Sequence, residues 1–253
     1  MRGIADVAPE AVLLAGAGRA LLLQLALPPV GRGVVRHSDF AADPLKRLHG
    51  TLRYIYALTN GTPAQAAAAR AWVERAHEPV HGTARDGGPA YDAHDPRLQL
   101  WVAATLYDSA TLVREAVLPP LGEDEAERLY RDYALLATAL RMPPDLWPPT
   151  REDFARYRDG VIAELSVDDE VARAGRDLLA ARNAPRWVRA AMPLARLLTA
   201  GFLPGRLRGP FGLAWSPRRE RAFRAALAVV RVVYPRLPRA VRHAPMRHYL
   251  RAA

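Results

Sequence analysis

The chain has 253 residues, half of them apolar, and no cysteine. That length and composition suffice for a sizeable buried core, and the absence of cysteine excludes disulfides, thiolate zinc sites, iron–sulfur clusters and cysteine nucleophiles. The net charge of +10 is uneven, because residues 182–253 hold sixteen arginines against one acid, Glu220, so this segment carries +15 and the remainder −5.

The basic C-terminal third is typical of proteins that contact nucleic acid or an anionic membrane surface. Its arginines are interleaved with prolines and apolar residues, and arginine nearly replaces lysine along the whole chain, whose single lysine is Lys46. That usage also has a simpler origin in GC-rich coding. We therefore expect no specific nucleic acid partner and keep a peripheral contact with an anionic membrane as an alternative.

The first apolar stretch, Val12–Leu27, lies where a secretory signal or a membrane span would lie. Arg19 and Gln24 interrupt it, no cleavage motif of small residues follows, and it is too short for a spanning helix. We interpret it as a buried core helix. The absence of a targeting segment favours a cytoplasmic protein, with a membrane-peripheral association left open.

Helical periodicity punctuated by proline dominates the chain. The predicted helices are Pro9–Ala26, Asp43–Thr59, Thr62–His77, Pro96–Val117, Gly122–Leu140, Thr150–Leu165, Val167–Ala181, Pro185–Thr199 and Pro217–Tyr234. No segment alternates with period two for long enough to predict a strand. We therefore predict a single globular, multi-helix, all-α domain over residues 1–253.

Several predicted helices begin at recognisable caps. Asp43-Pro44, Thr62-Pro63 and Asp95-Pro96 each place a capping side chain before a proline at the first helical position. Thr150, followed three residues later by Asp153, resembles a capping box.

The stretch Arg36–Thr83 is rich in side chains with metal-binding chemistry. It holds four of the seven histidines: His37, His49, His77 and His81. His77 and His81 are one helical turn apart, a spacing that can place two imidazoles on one metal. Because Pro79 lies between them, we expect the helix to end near His77 and the pair not to form a preorganised site.

Three polar residues, Arg47, Thr51 and Tyr54, fall on one face of the predicted helix Asp43–Thr59. On an otherwise apolar helix such a trio can meet an anion or a polar ligand. It can equally be an ordinary solvated stripe, and the spacing by itself does not decide between the two.

Five stretches, in order along nearly the whole chain, carry a family resemblance. They are Gln24–Pro63 (QLALPPVGRGVVRHSDFAADPLKRLHGTLRYIYALTNGTP), His77–Gly82 (HEPVHG), Tyr91–Ser109 (YDAHDPRLQLWVAATLYDS), Pro185–Trp215 and Tyr234–Pro245. Together they resemble the superfamily of rubber oxygenase (latex clearing protein) and MpaB-type oxygenase catalytic domains. The resemblance implies an all-α fold. Characterised rubber-cleaving members of that superfamily bind b-type haem through a histidine and use dioxygen to cleave carbon–carbon double bonds.

The resemblance also implies roles for single residues. The family's haem-binding histidine follows an alanine-rich helix in an HxxV-x-G pattern and matches His77, and its distal arginine and threonine match Arg47 and Thr51. The chain is thus expected to be a haem b-dependent, oxygenase-like oxidoreductase with its iron bound by His77. The two helical patterns in Arg36–Thr83, on either side of a turn, look like walls of a buried pocket. Because the predicted pocket wall is mostly Leu, Ala, Val and aromatic residues, we expect a small or medium apolar substrate.

Three positions depart from the family pattern. Rubber-cleaving members have a lysine where this chain has Gly50, and many smaller members have histidines where it has Leu27 and Ala103. These departures leave an alternative function open, in which a non-catalytic protein retains the fold and binds an apolar ligand or an interaction partner.

The segment Pro185–Leu203 sets apolar residues among arginines, as in an amphipathic helix that rests on an anionic membrane. The same segment can instead cover the pocket, with its arginines near the haem propionates. A third alternative is a helix that packs on the core and extends its arginines to water.

Overall fold

The structure, a computed structural model, describes residues 3–37, 45–84 and 88–251. Its α-helices are α1 (Ile4–Val7), α2 (Ala17–Ala26), α3 (Pro28–His37), α4 (Lys46–Asn60), α5 (Pro63–His77), α6 (Pro96–Val117), α7 (Glu123–Tyr133), α8 (Leu135–Thr138), α9 (Arg151–Glu164), α10 (Asp169–Ala180), α11 (Arg186–Phe202), α12 (Gly205–Arg208), α13 (Pro217–Val233), α14 (Arg239–Arg242) and α15 (Ala244–Arg251). Strands β1 (His81–Gly82) and β2 (Tyr91–Asp92) form a short antiparallel pair. The fold is a single all-α domain, as the helical periodicity predicts.

The core forms where α2 packs on α6. Asp95 begins α6 by accepting a hydrogen bond from the Arg97 amide at 2.8 Å, with Pro96 in the first turn. Trp101 of α6 is 1% exposed, and its indole nitrogen donates to the Leu23 carbonyl oxygen at 3.2 Å. The apolar run that contains α2 is therefore a core helix, as predicted.

A buried ion pair explains why arginine interrupts that apolar run at Arg19. The Arg19 guanidinium lies 2.6 Å from the Asp108 carboxylate and donates to the Phe202 carbonyl oxygen at 2.9 Å. Arg158 pairs with the same carboxylate at 3.1 Å. Because these residues come from α2, α6, α9 and α11, the cluster fixes how those helices pack together.

The chain turns sharply between α2 and α3. The sequence analysis places no helix over residues 28–37, and this omission is wrong. Proline is tolerated in the first turn of a helix, and α3 begins at Pro28 with Pro29 next to it. Among the described residues no single helix is long and apolar enough to cross a membrane, and only the pair 11–26 and 28–37, bent by 105°, reaches that length and hydropathy in combination.

Local capping signals predict the helix boundaries well. Thr62 accepts a hydrogen bond from the Gln65 amide at 3.2 Å, and the Gln65 side chain accepts one from the Thr62 amide at 2.9 Å. The Thr150 hydroxyl likewise accepts from the Asp153 amide at 3.0 Å. The predicted cap Asp43-Pro44 lies outside the described residues.

One predicted helix, Gly122–Leu140, is divided at Ala134 into α7 and α8. After the break, Leu136 and Ala137 are buried, and the Tyr54 hydroxyl donates to the Leu136 carbonyl oxygen at 2.7 Å. That contact joins residues 82 positions apart, so no local sequence signal announces it.

Candidate functional site

A cavity of about 400 Å³ lies between α3, α4, α5, α6, α8 and the β1–β2 pair. Its walls are mainly aliphatic side chains, among them Val30, Val34, Val73, Leu106 and Leu136. Sites for small molecules are typically concave, mostly apolar and about 300–1,000 Å³ in volume, with a few placed polar groups. The cavity therefore has the size and the character of a site for an apolar molecule.

The cavity brings together all three residues that the sequence resemblance singles out. His77 is the last residue of α5, and Arg47 and Thr51 lie one turn apart on α4, which packs against α5. The helix ends at His77, and the chain turns at Glu78 and Pro79 into β1.

His77 is a neutral imidazole at physiological pH. Burial, together with the nearby charge of Arg47 and the neighbouring His94, lowers the pKa of His77 to about 4. The His94 ring lies edge-on, with its centroid 6.3 Å from that of His77. A neutral imidazole has a free lone pair, which is the form that binds a metal ion. His77 thus has the protonation state of a ligand.

His81, the other member of the predicted pair, lies on β1, is exposed and is not among the described residues of the cavity wall. The two imidazoles therefore do not face a common site, in agreement with the expected helix end at His77.

Arg47 places a positive charge inside the cavity. Burial lowers the pKa of Arg47 to about 10, so the guanidinium stays charged at neutral pH. It donates to the Gln24 side-chain oxygen at 3.2 Å, and the Gln24 amide nitrogen in turn donates to the Thr105 hydroxyl at 2.9 Å. Among the described residues no carboxylate forms an ion pair with Arg47. A buried cation with only a neutral partner favours a ligand that brings an anionic or electron-rich group.

The wall beside Thr51 is shaped by Trp72. The Trp72 ring packs over Gly50, where an added Cβ would lie 2.6 Å from the Trp72 Cη2 atom. The Thr51 hydroxyl has no hydrogen-bond partner in the described part of the chain, so it is available to a ligand. The indole thus occupies the space beside Gly50, and the family's lysine at this position would compete with Trp72 for the same space.

A haem iron needs fewer protein ligands than a bare metal ion does. Within residues 3–37, 45–84 and 88–251, no group of three or more His, Asp or Glu side chains is placed to hold a metal ion. Structural and catalytic sites for bare ions use three or more protein ligands, whereas a haem iron needs one axial histidine because the porphyrin supplies its other ligands. The cavity wall carries two histidines, His77 and His37, and one axial histidine is what a haem iron needs.

Comparison with known proteins agrees with this geometry. A model of the family described as ER-bound oxygenase mpaB/B'/rubber oxygenase, catalytic domain, matches residues 5–232. The chain belongs to this family. Uncharacterized protein Rv2237 of Mycobacterium tuberculosis and uncharacterized protein Mb2261 of Mycobacterium bovis are each 34% identical to it over 223 residues, which cover 86% of this chain and 87% of each relative. No solved structure matches the chain.

The two positions where many small members of the MpaB family have histidine differ in location. Ala103 lies on α6, is 2% exposed and lines the cavity. Leu27 lies at the turn between α2 and α3, packs on the hydrophobic core and is not among the described lining residues. Of the two replacements, therefore, only the one at Ala103 puts an apolar residue on the cavity wall where many small members have a histidine.

Two glutamines lie at the site, Gln99 on the cavity wall and Gln24 beside Arg47, and the sequence analysis gives neither a role there. Gln24 holds Arg47, as described above. Gln99 is 7% exposed, lines the cavity and donates through its amide nitrogen to the Ala93 carbonyl oxygen at 3.0 Å. The Ala93 carbonyl can only accept, so the amide nitrogen of Gln99 must be the atom that faces it. The Gln99 side-chain oxygen has no hydrogen-bond partner among the described residues. That oxygen offers a buried acceptor to a ligand.

His37 also lines the cavity, where its Nε2 atom lies 3.1 Å from the Tyr91 hydroxyl of β2. It lies in the last turn of α3, on the cavity side.

Proposed function

We propose that this protein is a haem-dependent, oxygenase-like oxidoreductase that acts with dioxygen on a small or medium apolar molecule. The observation that carries the proposal is the meeting of a neutral His77 and a charged Arg47 in one apolar cavity. Membership of the oxygenase family supports the same reaction class.

Haem b, when bound, would supply the iron that activates dioxygen. His77 would hold that iron through its neutral ring nitrogen, at the end of a helix whose start is fixed by the Thr62 cap. The low pKa of His77 keeps protons from competing with the metal down to about pH 4.

Arg47 and Thr51 would act on oxygen atoms in the cavity. Both carry hydrogen-bond donors, and the guanidinium adds a positive charge in surroundings of low polarity, where it stabilises developing negative charge strongly. Gln24 positions Arg47, because the hydrogen bond at 3.2 Å ties the guanidinium to α2. The aliphatic walls would bind the body of the substrate and exclude water.

A second function rests on Ala103. Where many small members of the family have histidine, the cavity of this chain has a methyl group. If that histidine carries part of the family's chemistry, the protein retains the cavity as a carrier of apolar ligands and does not turn over dioxygen.

Haem binding tests the assignment of His77. Titration of haem b into the purified protein should give a Soret band in the wild type and in His81→Ala, whose histidine is exposed and off the cavity, and none in His77→Ala. Circular dichroism checks that both variants fold. A wild type without a Soret band, or a band unchanged by His77→Ala, would overturn the proposal.

Oxygen uptake separates the two functions. The haem-loaded protein should consume dioxygen in the presence of apolar alkenes, and Arg47→Met should lose most of that uptake while keeping the Soret band. Haem binding without uptake, together with displacement of an apolar fluorescent probe by alkenes, would favour the carrier.

A further inference from the structure

Helix α11 presents an apolar stripe to solvent. Its large members, Trp187 and Leu194, are 73% and 52% exposed. Ala190 and Ala191 between them are exposed as well. The spacing i, i+3, i+4, i+7 places all of them on one face of the helix, and we name this set the outer stripe.

The outer stripe is not the face that holds α11 on the protein. Val188, Met192, Ala195 and Thr199 repeat at helical spacing and are among the buried or half-buried residues of the helix. α11 therefore has two apolar faces, and only one of them is covered. In the described part of the chain none of its residues lines the cavity, so the idea that this segment covers the pocket is wrong for this fold.

The neighbouring helix α13 repeats the arrangement. It packs on α11, where the Phe202 and Phe223 rings meet edge-on at 5.1 Å. None of its residues is fully buried, and its C-terminal half exposes Val229, Val232 and Val233 at 62%, 56% and 49%. Soluble domains rarely expose contiguous large apolar side chains without a partner to cover them.

The charges around these side chains have one sign. α11 carries Arg186, Arg189 and Arg196, all exposed, and no acid. Glu220 of α13, the one acid after residue 181, is occupied by Arg224 at 2.6 Å and by the Trp215 indole nitrogen at 3.1 Å. The surface therefore combines apolar side chains with uncompensated guanidinium groups.

We propose that the exposed face of α11 and α13 docks on the surface of an anionic phospholipid bilayer. Trp187 and Leu194 would enter the boundary between headgroups and acyl chains, and the arginines would extend along the surface to bind lipid phosphates. Tryptophan favours this boundary, since its ring is apolar and its N–H is polar.

Charge selects the bilayer over the other candidates. A two-fold contact between copies of this chain would bring the same arginines face to face, and their like charges would repel. An anionic surface attracts these arginines instead. Nucleic acid would satisfy the arginines and leave the outer stripe without a role.

Vesicle co-sedimentation tests the docking directly. The probes are vesicles of phosphatidylcholine alone and of phosphatidylcholine with phosphatidylglycerol. We expect binding to the anionic vesicles that weakens as salt rises, and a loss of about tenfold or more in Trp187→Ala/Leu194→Ala. The intrinsic fluorescence attributable to Trp187, taken as the difference from Trp187→Phe, should shift to the blue on binding.

Matched variants distinguish binding through the α11 arginines from binding that depends only on the net charge of the protein. Arg186→Gln/Arg189→Gln/Arg196→Gln should weaken vesicle binding as strongly as the apolar pair. Its control removes the same charge from exposed arginines on other helices, Arg53→Gln/Arg70→Gln/Arg97→Gln, and should keep most of the binding. Leu135→Ala, at an exposed leucine on α8, is the apolar control.

Four results would overturn the proposal. They are no binding to anionic vesicles at low salt, equal binding to neutral vesicles, a lipid-free dimer that Trp187→Ala/Leu194→Ala dissolves, and duplex DNA binding that competes with vesicles and is unchanged in that variant. None of these measurements depends on haem.

Discussion

The cavity and the α11–α13 face use the same residue types in opposite ways. In the cavity, one arginine lies among inward-facing aliphatic walls, and its hydrogen bond to Gln24 holds it there. On the outer face the arginines reach solvent, and Trp187 and Leu194 face solvent beside them. Arginine next to apolar residues therefore indicates two different functions, and the direction of each side chain relative to the core decides which one applies.

Arg19 gives a third case, in which a buried arginine meets a carboxylate. Its pair with Asp108 satisfies both charges inside the core, whereas Arg47 has a neutral partner. The first arrangement stabilises the fold and the second leaves a charge available to a ligand. The following predictions test whether these environments differ as much as the contacts indicate.

The largest expected effect comes from removing the buried, paired arginine. Arg19→Met removes the closer and more buried partner of the Asp108 carboxylate, so the free energy of unfolding should fall by about 3 kcal/mol. Because Arg158 still pairs with that carboxylate, the loss stays at the low end for a broken buried ion pair. Arg189→Met, on the exposed face, is the matched control and should change it by less than about 0.5 kcal/mol. Urea denaturation measures both, and equal losses would remove the distinction between the two environments.

The next effect concerns pH and His77. The pKa of His77 is lowered from 6.5 to about 4, so between these values the unfolded chain binds a proton that the folded chain excludes. The contribution of His77 to stability is therefore complete above about pH 6.5 and is lost as the pH falls toward 4, by about 2–3 kcal/mol at pH 4.5.

Urea denaturation of the haem-free protein at about pH 7.5 and pH 4.5 measures this loss. His77→Gln should lose less stability than the wild type over that interval, by the same amount. A parallel loss in both proteins would assign the pH dependence to other groups.

The smallest effect lies in the cavity wall, where Trp72 covers Gly50. Gly50→Ala sets a Cβ 2.6 Å from the indole, but Trp72 is 45% exposed and has room to tilt outward, so we expect a cost of about 1 kcal/mol. In a Trp72→Ala background the same change should stabilise the protein by about 1 kcal/mol, because alanine favours a helix over glycine by that amount. A double-mutant cycle measures the coupling, and additive effects would show that the indole does not occupy this space.

Short-range signals in the sequence predicted the frame of the site. The caps at Thr62 and Asp95 mark the starts of α5 and α6, and Pro79 marks the end of α5 near His77, because capping and proline effects act within one helical turn. The family resemblance then named His77, Arg47 and Thr51, which the fold brings to one cavity. Their catalytic roles stay predictions until haem binding and oxygen uptake are measured.

The sequence did not predict the partners of these residues. Gln24 reads as an interruption of an apolar run, and Gln99 as one polar residue in a core helix, yet Gln24 holds Arg47 and Gln99 lines the cavity. The signal is missing because Gln24 meets Arg47 and Thr105 only in the folded chain, and the cavity that Gln99 lines is formed by helices from distant parts of the sequence.

The sequence by itself determined the helical class, the starts of several helices, the family and the excess of arginine after residue 181. These follow from periodicity, caps and composition, which are properties of neighbouring residues. Only the tertiary structure decided that His77 is neutral, that Ala103 faces the cavity while Leu27 does not, and which apolar face of α11 is left uncovered. Burial decides all three, and burial is set by distant segments that pack together.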